Sequence, residues 1–391
     1  MDASRQPQHD VPETPDDLVV SRAAEQAPEP GIALCLSGGG YRAMLFHAGA
    51  FLRLGEAQLL PEIKRFSSVS GGSIAAASLA LAWPRLEDEG FSFAAIRTHV
   101  VDRLREQAGR SVDWRAVVGG LLIPRRTASD GVARGYRKLL GDATLQDLPD
   151  ESPRFVFNAT NLQSTALFRF CKAYAWDYRV GRVDSPELPL RVVVAASSAF
   201  PPFLSPATVP LTPADFVPGS GSGLEADEYR RTPVLSDGGV YDNLGLETAW
   251  KRYATVLVSD GGGKTLPRTR IARSWPSHTY RILMTVDNQV RSLRKRALIA
   301  SFRSGQRAGA YWGVRTHIDD YGLERILPCP APQTAALAAT PTRLGKLSPV
   351  VQERLVNWGY AACDAALRAH ILPSLDPPEA FPYPAAGVGE R

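Results

Sequence analysis

The segment Phe66–Ile74 (FSSVSGGSI) sets Ser70 between an apolar strand-like run and an Ala-rich helical one. A serine on a tight strand-to-helix turn presents its hydroxyl clear of the backbone, provided that small residues flank it. The usual spelling is G-x-S-x-G. Here Gly72 fills the second small position and Ser68 the first, a departure that still lets the turn close. Ser70 would also stand at the start of the following helix, where free N–H groups and the helix dipole favour developing negative charge. A serine in a glycine-rich turn is also a common helix cap, so this segment alone leaves two readings open. Ser73 is a rival nucleophile, placed a turn into the helix where a hydroxyl is poorly exposed.

Two further segments could complete a site. Ser37–Arg42 (SGGGYR) places Gly38, Gly39 and Gly40 before a helix, with backbone N–H groups that no side chain obstructs. Such groups can hold an oxyanion or a phosphate, and Arg42 adds a permanent cation in the first helical turn. A plain βα turn or a mononucleotide site are the alternatives. The Rossmann spacing fails because position 43 is Ala, and a Walker A loop ending in Gly263-Lys264-Thr265 would need glycine at position 258, which is Val. Leu235–Asn243 (LSDGGVYDN) puts Asp237 at a strand end before two glycines, able to reach across a sheet's carboxyl edge; by itself it could be a turn Asp. The six histidines have no catalytic setting, and His47 inside the first helix reads as packed. An aspartate bonded directly to a serine can act as its base. With no HExxH and no clustered ligand set, neither metal nor cofactor is expected.

The elements that must position these residues alternate. Strands are expected over 32–36, 65–69, 154–160, 191–195, 233–236, 254–259 and 281–286. Helices are expected over 41–54, 73–83, much of 84–150, and 350–370. Strand–helix alternation indicates an α/β fold, a three-layer αβα sandwich with a mostly parallel central sheet. Residues 1–30 are acidic and Pro-rich and read as a disordered tail; 31–372 form the domain, with a flexible loop or lid at 205–232 rich in Pro and Gly; 373–391 read as a loose Pro/Gly-rich tail.

Composition narrows the class. The 391 residues carry a formal +5, but the first thirty are at −5, which leaves a body at +10 suited to anionic lipid, nucleic acid or acidic substrates. The arginines are dispersed and no nucleic-acid motif occurs, so nucleic acid is not an expected partner. Cys35, Cys171, Cys329 and Cys363 are scattered, which fits a reducing compartment. With no secretory signal and no spanning apolar run, a cytoplasmic protein that meets membranes only from the surface is expected. The stretch 290–303, continuing to Arg307, reads as a basic amphipathic helix, either a solvated outer helix or one lying on anionic lipid. Nothing in the sequence speaks to oligomeric state.

In order, Gly38-Gly39-Gly40-Tyr41-Arg42, Ser70-Gly71-Gly72 and Asp237-Gly238-Gly239 resemble the patatin-like phospholipases. Ala195–Phe203 (AASSAFPPF) and Asn158–Leu162 (NATNL) are similar to that family's intervening segments, so the likeness spans roughly residues 31–260. The resemblance implies a serine acyl hydrolase of phospholipase A or lysophospholipase type. Ser70 would be its nucleophile and Asp237 its base, with an oxyanion hole of Gly38, Gly39, Gly40 and Gly71 beside Arg42. Neutral-lipid or small-ester hydrolysis with the same dyad, and a non-catalytic lipid-binding or scaffolding role, are the alternatives.

Overall fold

The computed structural model describes residues 28–112, 127–150, 152–271 and 274–389. All but the last three residues of the expected acidic tail lie outside them. Strands in chain order are β1 (Glu29–Leu36), β2 (Ile63–Ser68), β3 (Arg154–Asn161), β4 (Leu167–Phe170), β5 (Tyr174–Asp177) and β6 (Gly181–Asp184). They continue as β7 (Ala207–Thr208), β8 (Val234–Asp237), β9 (Tyr253–Asp260) and β10 (Ala308–Gly313). The helices that matter here are α1 (Gly40–Glu56), α2 (Gly71–Asp88), α3 (Leu190–Ser197), α4 (Trp275–Arg303) and α5 (Pro349–His370).

The sheet runs β10-β9-β1-β2-β3-β4-β5-β6, with β8 also on β3 and β7 on β8. The five strands from β10 to β3 are parallel, and the rest pair antiparallel. The expected αβα architecture with a parallel central sheet is therefore the observed one, extended by an antiparallel flank. The pleat of β1 shows why both faces need helices. Leu34 and Leu36 enter one core with Phe46, Phe51 and Trp358, while Ala33 and Cys35 enter another with Val256, Val258 and Leu298. A strand buried on both faces is apolar without alternation, as this one is.

α1 is buried along Gly40–Gly55. Glycines set its packing against α5: a methyl at Gly49 would collide with the Val356 carbonyl, and one at Gly359 with the Phe46 carbonyl. The two backbones approach closely enough to lock α1, and with it the glycine turn at its start, onto the domain.

Some expectations are corrected. Residues 191–195 form part of α3, not a strand. Leu190 and Val193–Ser197 are its buried positions, nearly the whole element, so its short Val run reads like a strand. Residues 281–286 lie within the 29-residue α4, where continuity with the strong helix formers that follow, from Arg291 to Ala300, overrides local β propensity. β4–β7 and β10 were not foreseen. Within the 205–232 segment Arg230 donates to Glu225 at 2.9 Å, Ser220 accepts the Arg182 N–H at 2.8 Å, and Leu211 and Phe216 are buried. The C-terminal stretch docks too, since Asn357 donates to the carbonyls of Tyr383 and Gly387, and Phe381 and Val388 are buried.

Candidate active site

β3 acts as a ruler for the site. With β4 along one edge of β3, the other edge is shared by β2 over its first half and β8 over its second. Ser68 pairs with Phe157, and Asp237 pairs with Ala159. Two residues of strand separate these rungs, roughly 7 Å, and the chain runs on two residues from Ser68 to Ser70. β8 thus delivers Asp237 to the place where β2 turns into α2. On the other side Leu36 of β1 pairs with Ser68, so the Gly38–Gly40 turn and Ser70 leave the sheet at the same level. A Cβ added to Gly38 would lie 3.1 Å from the Ser70 Cβ.

Ser70 has φ 52 and ψ −117, and its side chain makes no cap bond. A capping serine has extended backbone and an Oγ that accepts a helical N–H. Here the backbone is in the left-handed region, strained for a residue with a Cβ, and the hydroxyl is left for other use. The cap reading of the sequence fails on this geometry. The strain is sustained by fixed neighbours. The Ser70 N–H donates to the Ser197 Oγ at 3.1 Å, and Ser197 in turn donates to the Asn158 carbonyl at 2.7 Å. Asn158 Nδ2 donates to the Ser67 Oγ and the Ser68 carbonyl, both at 3.0 Å. A methyl on Gly72 would strike the Leu36 carbonyl and one on Gly71 the Gly40 carbonyl, so the turn requires both glycines.

Ser73 is fully buried, with its hydroxyl bonded to Ser68 at 3.1 Å and Ser197 at 2.8 Å, whereas Ser70 keeps 8 % of its surface exposed. Ser73 belongs to the brace beneath the turn. Asp237 is buried at 1 % exposure and its Oδ1 accepts the Gly239 N–H at 2.7 Å. Burial pushes its carboxyl from 3.8 up to about 7; the Gly239 N–H and a side-chain hydrogen bond with Ser70 pull against that rise, and Asp287 of α4 adds to it. A buried carboxylate beside a serine and half-charged near neutral pH is matched to taking a proton from a hydroxyl.

The turn before α1 sorts the expected oxyanion donors. Gly39 and Gly40 take φ 147 and φ 61, in the range that glycine permits. Their N–H groups, and that of Gly71, donate to no group among the described residues. The Gly38 N–H, by contrast, donates to the Asn243 carbonyl at 3.1 Å. Arg42 also departs from expectation. It is buried, and its guanidinium donates to the Gly261 carbonyl at 2.8 and 3.1 Å and to the Ala338 and Thr340 carbonyls at 2.8 Å each. Those bonds tie α1 to the loop after β9 and to the chain ahead of α5, so Gly38 and Arg42 brace the turn instead of facing it. His47 is buried between the Ser259 hydroxyl at 2.7 Å and the Ser37 carbonyl at 2.9 Å. Burial holds it neutral, with its pKa lowered to about 4, and it joins the ends of β1 and β9.

Ser197, Asn158 and Asn243 were not singled out from sequence. Ser197 and Asn158 lie in segments quoted above for their likeness, but their bracing roles need contacts with Ser70, Ser67 and Ser68, 90 to 127 residues away. Among the described residues no group of three His, Cys, Asp or Glu could hold a metal ion, and no helix is long and apolar enough to cross a membrane.

A family model described as patatin-like phospholipase matches residues 34–250. Among solved structures, human GIVD cytosolic phospholipase A2 in complex with methyl gamma-linolenyl fluorophosphonate is 15 % identical, with a TM-score of 0.48 over 87 % of this chain and 59 % of that one. VipD from Legionella pneumophila is 14 % identical, with a TM-score of 0.37 over 87 % of this chain and 67 % of that one. The type III effector ExoU is 13 % identical, with a TM-score of 0.32 over 88 % of this chain and 54 % of that one. In a further structure of the human enzyme the matched part is 50 % of its length. No curated protein matches.

Proposed function

Because this chain belongs to the patatin-like phospholipase family, we propose that it hydrolyses acyl esters of phospholipids or lysophospholipids, with Ser70 as nucleophile and Asp237 as base. The observation that carries this reading is the pairing of an uncapped serine at φ 52 with a buried carboxyl raised to about 7. In the first half-reaction the Ser70 Oγ attacks the ester carbonyl carbon while its proton passes to Asp237. The carbonyl oxygen, now an oxyanion, is received by the N–H groups of Gly39, Gly40 and Gly71. Two of these lie at the starts of α1 and α2, whose dipoles favour the charge.

Collapse of the tetrahedral intermediate breaks the ester C–O bond, and Asp237 returns the proton to the departing alcohol. Water then attacks the acyl-Ser70 ester and gives its proton to Asp237; expulsion of the serine oxygen, reprotonated by Asp237, releases the fatty acid. The carboxyl must be ionised at the start of each half, so kcat/KM should rise through pH about 7.

The test is release of fatty acid from phosphatidylcholine and from lysophosphatidylcholine, beside p-nitrophenyl butyrate as a soluble ester. Ser70→Ala and Asp237→Asn should each abolish all three, with the fold kept. Hydrolysis that survives Ser70→Ala would defeat the assignment; hydrolysis of the soluble ester alone by the wild type would favour the small-ester reading.

A further inference from the structure

α4 is the least covered long element of the fold. Of its 29 residues only Leu298 and Ser301 are buried, and Ser274–Tyr280 are all exposed. Its length is about 43 Å at 1.5 Å per residue, and helices in proteins owe most of their stability to packing of an apolar face. Yet α4 carries, opposite the Leu298 and Phe302 side that meets the core, a second apolar stripe that is exposed. Trp275 is 79 % exposed, Leu293 56 %, Val286 54 % and Ile282 53 %, with Tyr280 and Leu283 beside them. Trp275, Ile282, Val286 and Leu293 fall at spacings of seven, four and seven, a single stripe along the helix. Contiguous exposed apolar surface of this kind marks a contact site.

Charge selects the partner. Between Lys264 and Arg307 the sequence has eleven Lys and Arg and a single acid, Asp287. Lys264, Arg268 and Arg270, ahead of the helix, and Arg296 and Arg303, within it, are exposed. Further along, Ile299 and Ala300 floor an open depression edged by Lys295, Arg296 and Arg303. Two copies of so basic a face repel each other, whereas an anionic bilayer offers both the charge and the hydrocarbon that such a face requires.

Position links this face to the candidate site. Phe203, 63 % exposed, follows α3 and meets Tyr280 edge to face at 6.5 Å. Asp287 of α4 is close enough to raise the Asp237 carboxyl. Arg294 of α4 stacks over Tyr241, four residues after Asp237, at 5.8 Å. Exposed apolar side chains therefore run along α4 to Phe203, and the same helix sets Asp287 near Asp237.

We propose that α4 is a docking element for anionic phospholipid bilayers: its apolar stripe enters the headgroup region, its cations meet the lipid phosphates, and the side of the domain that carries α4 and Phe203 is turned toward the membrane. This rests on the lipid substrate proposed above, but docking itself needs no catalysis, so it is tested on the full chain carrying Ser70→Ala. The measurement is co-sedimentation with vesicles of phosphatidylcholine alone and of phosphatidylcholine and phosphatidylserine in equal parts, followed also by the emission of Trp275. Binding should need phosphatidylserine, weaken with salt, and shift the emission to the blue. Trp275→Ala with Ile282→Asp should weaken binding by about tenfold or more, with an unchanged unfolding temperature showing that the fold is kept. Equal binding to both vesicles, or binding that survives the paired substitution, overturns the proposal. So does a failure to bind vesicles combined with a dimer that the same substitutions dissolve, which would make α4 a self-association surface.

Discussion

Replacing Asp237 with Asn should abolish hydrolysis and, above neutral pH, make the protein more stable. Burial raises the carboxyl from 3.8 to about 7, so between those values the folded chain holds a proton that the unfolded chain has released. Stability must then fall as pH rises through that window, and the whole cost is present above pH about 7. At 1.36 kcal/mol per pKa unit the cost is up to ~4 kcal/mol. The Asn Oδ1 can still accept the Gly239 N–H, so the turn is kept while the buried charge is removed. With relaxation recovering part of the cost, a gain of ~2 kcal/mol and a rise in Tm of about 4 °C are expected at pH about 9. At pH about 5 the wild-type carboxyl is already neutral, and the two melting curves should nearly coincide. Thermal unfolding of both proteins across this range, followed by circular dichroism, reads the difference directly. An offset that does not vary with pH, or a variant less stable at alkaline pH, would refute the account of Asp237 as a carboxylate whose desolvation outweighs its hydrogen bonds.

Ser70→Gly should raise stability by about 1 kcal/mol, because glycine takes φ 52 without strain, while hydrolysis disappears; denaturant melts beside an ester assay check both. Gly71→Ala drives a methyl against the Gly40 carbonyl and within 2.9 Å of its nitrogen, closing the cradle. Its kcat should fall about a hundredfold or more, with a smaller change in KM. His47, neutral in the fold with a pKa of about 4 against an ordinary 6.5, takes up its proton later than the unfolded chain as pH falls, so it contributes stability that is lost from pH 6.5 down to about 4. His47→Gln should flatten that acid limb in pH-dependent denaturation, even though it lowers stability at neutral pH.

The chemistry-bearing turns were legible because glycine and serine write local geometry. Gly38–Gly40 and Ser70–Gly72 signal sharp turns after apolar runs, and the strand–turn–helix order followed. The parallel strands β1, β2, β3 and β9 and the helix α5 were readable from apolar runs and from length. The misread pieces are those whose local signal was ambiguous. A run of three valines in α3 and the RILMTV stretch of α4 both suit a strand; burial among its neighbours made the first helical, whereas the second, largely uncovered, is helical as part of one continuous 29-residue element. β4–β6, four residues each, exist by pairing with one another, which no single segment encodes.

By itself the sequence determined which side chains could do chemistry, the bends that expose them, and the charge that surrounds them, because these depend on residue type and near neighbours. Tertiary structure alone decided how they meet. Two registers on β3 set Asp237 and the turn that carries Ser70 side by side, and Arg42 is withdrawn from the glycine turn by carbonyls more than two hundred residues away. The carboxyl is raised because the assembled core removes water from it. Registers, distant partners and desolvation are properties of the closed chain, and no local stretch contains them.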